Sequence, residues 1–274
     1  MPQEYDLAIA YRIYPKVSKV PPVFADDKYK LSELCLKSFK DSLGNLNFKM
    51  WVILDNCPPE YKELFLKFFN EEKLEFIELL CAGNPGSFGK QVEVLLSQDN
   101  SDYIFFAEDD YFYVANQFPE MLDFLKSNKD IHFISPYDHL DYYENDAHNY
   151  KSEIRSFGIH HWRTGASTTM TFLASKANLK RAKKTFLTYR AKNFDASLWF
   201  SLTKYKLQNP LNFLKYLLFD RQMFKIFVKG WLFGWRQIIF GKKWKLWIPI
   251  PAIATHMDDK HLAPTIDWKS LFNL

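Results

Sequence analysis

Short apolar runs alternate with amphipathic stretches over the first 110 residues. Four runs have the length and the β-branched and aromatic content of buried strands, and they lie at 6–14, 48–54, 74–80 and 103–107. Three stretches with helical spacing of apolar residues separate them, at 31–43, 60–70 and 90–98. This βαβαβαβ order predicts a parallel sheet with right-handed crossovers, and ligands bind such sheets beyond the carboxyl ends of the strands.

The pattern is less regular after residue 110. Helices are predicted at 118–125, 175–187 and 195–202. Apolar runs predict further strands at 131–135, 154–173 and 247–254, with breaks in the second at Gly158 and Gly165. Ser175 is a suitable N-cap for the helix that follows it. The whole chain therefore predicts an α/β fold with a mixed, mostly parallel sheet flanked by helices.

Charge is unevenly distributed along the chain. From Lys204 to Lys245 there are ten Lys or Arg and one acid, whereas the remainder holds 26 basic and 31 acidic residues. This stretch is also rich in Phe, Trp, Leu and Ile, which predicts a basic, aromatic helical segment. Such segments bind anionic membrane surfaces. The alternative is a helical subdomain packed on the core with a basic outer face, and nucleic acid is disfavoured because no recognised motif accompanies the charge.

Composition indicates a globular protein. With 274 residues, 47% hydrophobic and 25% charged, the chain can form one large α/β domain or two small ones. Its three cysteines are widely spaced and show no zinc or disulfide pattern, which indicates a reducing compartment. The first residues lack the pattern of a signal peptide, and no run of 18 apolar residues occurs. We therefore expect a cytoplasmic location, with any membrane contact at the inner face.

Three consecutive acids, Glu108, Asp109 and Asp110, close the fourth predicted strand. Adjacent carboxylates repel each other, so the arrangement calls for a compensating cation. Hard divalent ions such as Mn²⁺ and Mg²⁺ take oxygen ligands, often one or two carboxylates plus substrate phosphates. The alternative for an isolated acidic triplet is an ordinary acidic turn. Here three other loops end at the same predicted edge, after Tyr14, at Asp55 and at the glycine-rich stretch 83–89.

In these features the chain resembles GT-A-fold glycosyltransferases, and among them the family 2-like bacterial sugar transferases. The resemblance extends over residues 6–268 and is clearest in the first half. It implies that Glu108-Asp109-Asp110 stands where the family has its DXD motif, with Glu in place of the first Asp. Asp110 would then ligate a divalent ion, Mn²⁺ or Mg²⁺, that bridges the donor diphosphate. Glu108 or Asp109 would lie near the donor ribose or sugar.

The resemblance implies roles for further residues. At the end of the first strand Tyr11 would stack on the nucleotide and Arg12 would contact phosphate or base, and Asp55 would bind the nucleobase or ribose. The loop with Gly86 and Lys90 would approach the diphosphate. Late in the chain two more positions correspond to family positions: Asp195, at a helix start, as the catalytic base, and His256 as an additional metal ligand. For Asp195 a helix N-cap is an equal alternative.

Together these features predict a metal-dependent glycosyltransferase, and the resemblance implies an inverting one. It would move sugar from a UDP- or GDP-sugar to a glycan or lipid-linked acceptor in surface polysaccharide or glycoconjugate synthesis. We expect a catalytic domain over 1–203, with a nucleotide-binding half (1–111) and an acceptor half (112–203), then the basic segment (204–246) and a tail (247–274) that returns to the active site. One alternative is a non-catalytic glycan- or membrane-binding protein. Another is a nucleotidyltransferase, which the absence of glycine from 11–22 disfavours.

Overall fold

The computed structural model describes residues 5–17 and 19–272. Its strands are β1 (Leu7–Ile13), β2 (Phe48–Asp55), β3 (Leu74–Leu79), β4 (Tyr103–Glu108), β5 (Tyr111–Tyr113), β6 (Phe133–Ile134), β7 (Ile154–Phe157), β8 (His160–Gly165), β9 (Phe172–Ser175), β10 (Leu246–Ile250) and β11 (Ala254–His256). Its α-helices are α1 (Lys28–Ser42), α2 (Glu60–Phe68), α3 (Gly83–Ser97), α4 (Phe118–Ser127), α5 (Asp141–Glu144), α6 (Lys176–Phe186), α7 (Asp195–Thr203), α8 (Pro210–Phe219), α9 (Arg221–Phe240) and α10 (Trp268–Leu271). Short 3-10 helices lie at Glu71–Lys73, Asp146–His148 and Leu187–Ala191.

Nine strands form one sheet in the order β3-β2-β1-β4-β9-β6-β10-β8-β7. The first four of these run parallel, and β9 and β8 are antiparallel to their neighbours. The predicted α/β fold with a mixed, mostly parallel sheet is confirmed. A separate two-stranded ladder joins β5 to β11. Strand β10 lies inside the main sheet, and β11 pairs with β5, which follows β4 at its carboxyl end. The end of the chain therefore returns to the carboxyl edge of the sheet.

The sheet separates two hydrophobic layers, and β1 shows why. Side chains alternate between the two faces of a strand, so Leu7, Ile9 and Tyr11 enter the core beneath α1, α2 and α4. Ala8 and Ala10 point the other way, into the core shared with α3, α6 and α7. Every residue of β1 is buried, as expected for a central strand covered on both faces.

Helix α3 begins earlier than the sequence predicted. We expected a loop over 83–89 and a helix from Lys90, whereas the helix starts at Gly83. The Asp55 carboxylate explains the difference, because its oxygens accept hydrogen bonds from the backbone N–H of Ala82 at 2.8 Å and of Gly83 at 2.7 Å. Pro85 is compatible with a first helical turn, where its missing N–H has no intrahelical acceptor. A side chain distant in sequence thus caps this helix.

Helices α8 and α9 occupy the basic segment and pack on the outer side of α7. Gly234 of α9 lies so close to α7 that a Cβ at this position would come within 2.4 Å of Ser201 Oγ. The Ser201 hydroxyl also contacts the carbonyl of Gly230, one turn earlier, at 3.3 Å. Glycine is therefore needed at 234 for the two helices to approach. Within the described ranges, no helix combines the length and apolar character needed to cross a bilayer.

Candidate active site

The three acids at the end of β4 each lie against a basic side chain of the protein itself. The pairs are Glu108 with Arg12, Asp109 with Lys28, and Asp110 with His256. We expected repulsion among adjacent carboxylates to call for a compensating cation, such as a divalent metal ion. The structure provides another source of compensation, since cations from β1, α1 and β11 lie against the acids one by one. Repulsion among the three carboxylates therefore gives no reason to expect a metal ion here. Only the geometry around Asp110 bears on whether an ion binds.

Arg12 joins three elements at the sheet edge. Its guanidinium pairs with Glu108 and donates to the Asn84 carbonyl at 2.9 Å and to the Ser87 hydroxyl at 3.3 Å. Glu108 in turn accepts a hydrogen bond from Thr171 Oγ1 at 2.8 Å. Arg12 is only 6% exposed, and a charge at such depth requires hydrogen-bonded partners. These contacts fix the ends of β1 and β4 relative to the start of α3.

Lys28 is the first residue of α1, where the helix dipole disfavours a cation. Its Nζ lies 2.7 Å from Asp109 Oδ2, an oxygen that also accepts from the backbone N–H of Tyr14 at 3.1 Å. Burial alone would lower the pKa of Lys28, but Asp109 and Asp110 raise it above its ordinary value. Lys28 was not among the predicted site residues. The sequence did contain a signal for Lys28, since it directly follows the capping Asp27 in the first turn of a helix. A cation at this unfavourable position indicates an anionic partner elsewhere in the fold.

The β5–β11 ladder brings Asp110 and His256 together. Tyr111 pairs with His256 in the register, and His256 Nε2 lies 3.1 Å from Asp110 Oδ2. Burial would raise the pKa of Asp110, but the charge and hydrogen bond of His256 hold it well below its usual range. Burial would likewise lower the pKa of His256, yet Asp110 raises it. The second oxygen, Asp110 Oδ1, is buried and has no hydrogen-bond partner in the described part of the chain.

This pair has donors that suit a divalent ion. Mn²⁺ accepts carboxylate oxygen and imidazole nitrogen, and Mg²⁺ is often held by one or two carboxylates plus phosphate oxygens. Within residues 5–17 and 19–272, no three His, Cys, Asp or Glu side chains form a cluster able to hold a metal. Asp110 and His256 therefore fit an ion whose coordination is completed by a ligand such as a diphosphate.

A cavity of about 420 Å³ opens at this edge of the sheet. Five of the predicted site residues line it, namely Arg12, Asp55, Glu108, Asp109 and Asp110. Lysine side chains at positions 16 and 28 and the start of α3 complete the wall. A parallel sheet thus collects side chains from β1, β2 and β4 at one place, together with the N-terminus of a helix, whose dipole favours anions.

Four residues predicted to bind the donor or metal do not line this cavity, and one of them, His256, still contacts Asp110 at its wall. The other three are Tyr11, Gly86 and Lys90. Tyr11 lies in the core, with its ring 5.5 Å from that of Phe39, because the alternation that brings Arg12 to the edge sends Tyr11 inward. Gly86 lies within α3. Lys90 projects from the same helix and pairs with Glu93 at 2.8 Å. The predicted loop is therefore wrong at Gly86, because the helix starts at Gly83, whereas Lys90 is helical as predicted. The approach of these two residues to a diphosphate stays a prediction.

A second, larger cavity of about 820 Å³ lies on the acceptor side predicted from the sequence. Its wall includes a row of hydroxyl side chains, Ser167, Thr168 and Thr169. Charged and titratable side chains complete it, among them Lys19, His139, Asp141, His148, Asp195, Arg221 and Lys225. Hydroxyl-rich walls with a few charged groups suit polar ligands with many hydrogen-bonding groups.

Asp195 lines the larger cavity and is the first residue of α7, not its N-cap. Phe194 occupies the N-cap position and makes no side-chain cap bond, whereas Asp195 Oδ1 accepts from the neighbouring N–H of Ala196 at 2.7 Å. The N-cap alternative is therefore wrong. Burial raises the pKa of Asp195, and the charge of Glu108 adds to this while Lys19 and Arg12 oppose it. A carboxyl with a raised pKa is a suitable general base near neutral pH.

The two cavities lie on either side of the segment that leads into β9. Tyr111 donates to Thr169 Oγ1 at 2.8 Å, and Thr171 donates to Glu108, so this segment is tied to both sides. The pKa of Asp195 responds to Glu108, which shows that their charges are within electrostatic reach. Burial raises the pKa of Tyr189, Arg12 lowers it and Asp195 raises it, so Tyr189 is within electrostatic reach of both. Thr171 and Tyr189 were not predicted, because no local pattern marks them.

No protein-family model and no curated protein matches the chain. Among solved structures it is similar to the 1–349 fragment of S. aureus TarS, at 14% identity and a TM-score of 0.41 over 82% of this chain and 70% of that one. Against a longer TarS chain the match has 14% identity and a TM-score of 0.40, and it covers 65% of this chain and 30% of that one.

The chain is also similar to the galactosyltransferase LgtC in complex with donor and acceptor sugar analogs, at 9% identity and a TM-score of 0.39, over 82% of this chain and 70% of that one. A cytidylyltransferase from Leptospira borgpetersenii matches at 13% identity and a TM-score of 0.36, over 66% of this chain and 64% of that one. Glycosyltransferases are thus among the proteins to which this chain is similar in structure.

Proposed function

We propose that the protein is a metal-dependent glycosyltransferase that moves a sugar from a nucleotide-sugar donor to a glycan or lipid-linked acceptor. One observation carries the proposal. Asp110 contacts His256 at the carboxyl edge of the sheet, and its other oxygen is buried with no hydrogen-bond partner among the described residues. A second cavity with a half-buried carboxylate, Asp195, lies within electrostatic reach. Two adjoining cavities with these groups suit a reaction between two polar substrates.

The smaller cavity is assigned to the donor, a UDP- or GDP-sugar. Arg12, Lys16 and Lys28 line it together with four acids, and the start of α3 adds the positive end of a helix dipole. Asp110 and His256 would hold Mn²⁺ or Mg²⁺ together with the donor diphosphate. When bound, such an ion supplies Lewis acidity that neutralises the leaving diphosphate. Asp55 is fixed as the cap of α3, so one edge of the donor pocket is rigid.

The larger cavity is assigned to the acceptor, with Asp195 as the general base. Asp195 Oδ1 is held by the N–H of Ala196, and no hydrogen bond to Oδ2 occurs among the described residues. The acceptor hydroxyl would give its proton to Asp195 while its oxygen forms a bond to the anomeric carbon. The bond from that carbon to the diphosphate oxygen breaks in the same step, and the electron pair leaves with the nucleoside diphosphate. Attack opposite the leaving group inverts the anomeric configuration.

The biological setting proposed is surface polysaccharide or glycoconjugate synthesis, with peripheral contact to an anionic membrane. Support comes from the exposed apolar side chains of α8 and α9 beside basic ones. Not every cation of the segment is available to a surface. Lys245, for example, pairs with Asp130 at 2.8 Å and with Glu153 at 2.7 Å, so it stabilises the fold around β10.

Donor hydrolysis tests the proposal directly. Purified protein is incubated with UDP- and GDP-sugars, with and without Mn²⁺, and release of the nucleoside diphosphate is measured. We expect release only with Mn²⁺. The Asp110→Asn variant should lose this Mn²⁺-dependent release while melting at a similar temperature. Metal-dependent release by Asp110→Asn equal to that of the natural protein would refute the assignment of the ion.

A non-catalytic binding protein is the second candidate. It is favoured by the pairing of Glu108 with Arg12 and of Asp109 with Lys28, which compensates two of the three acids without a metal. In that case a nucleotide sugar would raise the melting temperature, and no release would occur with any donor or acceptor. Thermal shift and hydrolysis measured on the same samples therefore separate the two candidates.

A further inference from the structure

The larger cavity is lined by three cations that form no ion pair or side-chain hydrogen bond among the described residues, namely Lys19, Arg221 and Lys225. Arg221 and Lys225 lie one turn apart on α9, and both line the cavity. Neither forms an ion pair or a side-chain hydrogen bond with any residue in 5–17 or 19–272. This contrasts with the smaller cavity, where Arg12 and Lys28 are each held by a carboxylate. Two unpaired cations on one wall of a polar cavity indicate an anionic ligand.

A second observation concerns a buried polar atom of a residue that lines the same cavity. The Nδ1 atom of His148, which lines the cavity, is buried and has no hydrogen-bond partner in the described part of the chain. Burial lowers the pKa of His148 to about 4, so its ring is neutral at physiological pH. A neutral imidazole can donate to or accept from a bound polar group. His148 therefore adds a hydrogen-bonding site to the wall that carries the cations.

The cationic end of the cavity is continuous with an exposed apolar surface. Leu217, Leu218 and Phe219 end α8, and only Asp220 separates them from Arg221. These three side chains are 51%, 65% and 81% exposed. Leu211 and Leu214 extend the apolar surface along α8. Exposed apolar side chains next to cations are the arrangement by which peripheral proteins contact lipid.

We propose that the larger cavity binds a phosphorylated lipid acceptor. Arg221 and Lys225 bind its phosphate, the exposed end of α8 contacts the membrane that holds its chain, and the hydroxyl wall and Asp195 receive its sugar. This inference rests on the proposed function for the role of the ligand as acceptor, but the binding itself does not depend on catalysis. A free phosphorylated glycan has the same anionic group, and the exposed leucines favour the lipid.

Vesicle sedimentation without any donor tests the binding. Phosphatidylcholine vesicles containing a polyprenyl phosphate are compared with pure phosphatidylcholine vesicles, and soluble glucose 1-phosphate is titrated as a competitor. We expect the protein to sediment only with the anionic vesicles. The double substitution Arg221→Glu, Lys225→Glu should weaken the apparent affinity by about tenfold or more, because each cation near the surface contributes on the order of 1 kcal/mol.

A matched control uses Lys37→Glu with Lys40→Glu. Both lysines are exposed on α1, which covers the opposite face of the sheet, and the change in charge is the same. We expect this control to sediment like the natural protein. An equal loss in both variants would overturn the site, since total charge would then account for binding. Sedimentation with neither vesicle, together with strong glucose 1-phosphate binding, would overturn the lipid assignment.

A third variant separates lipid contact from phosphate binding. Leu217→Ser with Leu218→Ser removes exposed apolar area, so folding should be little affected, and we expect weaker sedimentation with an unchanged response to glucose 1-phosphate. Unchanged sedimentation would overturn the role of α8. If the vesicle results hold while no donor is hydrolysed, the proposed transferase activity fails and the binding site stands. If donor is hydrolysed and no vesicle is bound, the binding site fails alone.

Discussion

Helices α1 and α9 begin in the same way and lead to different sites. Each has an aspartate N-cap, Asp27 or Asp220, followed at once by a cation, Lys28 or Arg221. A cation in the first turn opposes the helix dipole. Lys28 is compensated inside the protein by Asp109, whereas Arg221 faces a cavity and has no acidic partner in the described ranges. The first arrangement preorganises a site, and the second leaves a charge for a ligand.

The difference extends to the whole of each cavity. Around the smaller cavity Arg12 and Lys28 are joined to acids in pairs that connect β1, β4, α1 and α3, whereas Lys16 is exposed. Such pairs cost desolvation but fix positions, which suits a pocket that must hold a reactive phosphate in register. Around the larger cavity cations are exposed and unpaired, which suits attraction of a charged substrate from solution or from a membrane.

Replacing the proposed base of the larger cavity, Asp195, should have the largest effect of the substitutions considered, and this effect is on kcat. Asp195→Asn keeps the acceptor for the Ala196 N–H but cannot take a proton. We expect kcat to fall by about 10²–10⁴-fold, the usual contribution of a general base, with unchanged donor affinity. Steady-state kinetics with donor and acceptor check this, and calorimetric donor binding is the control. Full activity in Asp195→Asn would place the base elsewhere.

Breaking a buried pair should have the next largest effect, this time on stability. Arg12→Met leaves Glu108 buried without its cation, and such loss costs about 3–5 kcal/mol in unfolding free energy. The matched control is Lys67→Met, which breaks an exposed pair with Glu33 and should cost far less, because exposed pairs are screened by solvent. Urea unfolding of both variants provides the measurement. Similar losses for the two would mean that the pairs of the smaller cavity do not preorganise it.

The smallest expected effect is a shift of the pH profile. Lys19 lowers the pKa of Asp195, so Lys19→Met should raise it further. Because the base must be deprotonated, the acidic limb of the kcat/KM profile should then move to higher pH. Lys37→Met on the opposite face is the control and should leave the profile unchanged. A shift to lower pH, or none, would indicate that the acidic limb reports a group other than Asp195.

The sequence predicted the sheet edge well, because strand periodicity and chain order are local properties. It located β1 to β4 within a residue or two and brought Arg12, Asp55 and the acidic triplet to one edge. It also predicted the Ser175 cap, which accepts from the N–H of Asn178. Its errors were at Tyr11, where strand alternation was not applied, and at 83–89, where glycine content suggested a loop.

Long-range contacts decided the rest. Only the tertiary structure shows that Asp55 caps α3, that Lys28 neutralises Asp109, and that the β5–β11 ladder places His256 on Asp110. Each of these contacts joins residues at least 27 positions apart, and no local pattern encodes which charges meet. The sequence by itself determined the elements, their order and the supply of acids and cations. The packing of those elements decided which charges are paired within the protein and which remain for a ligand.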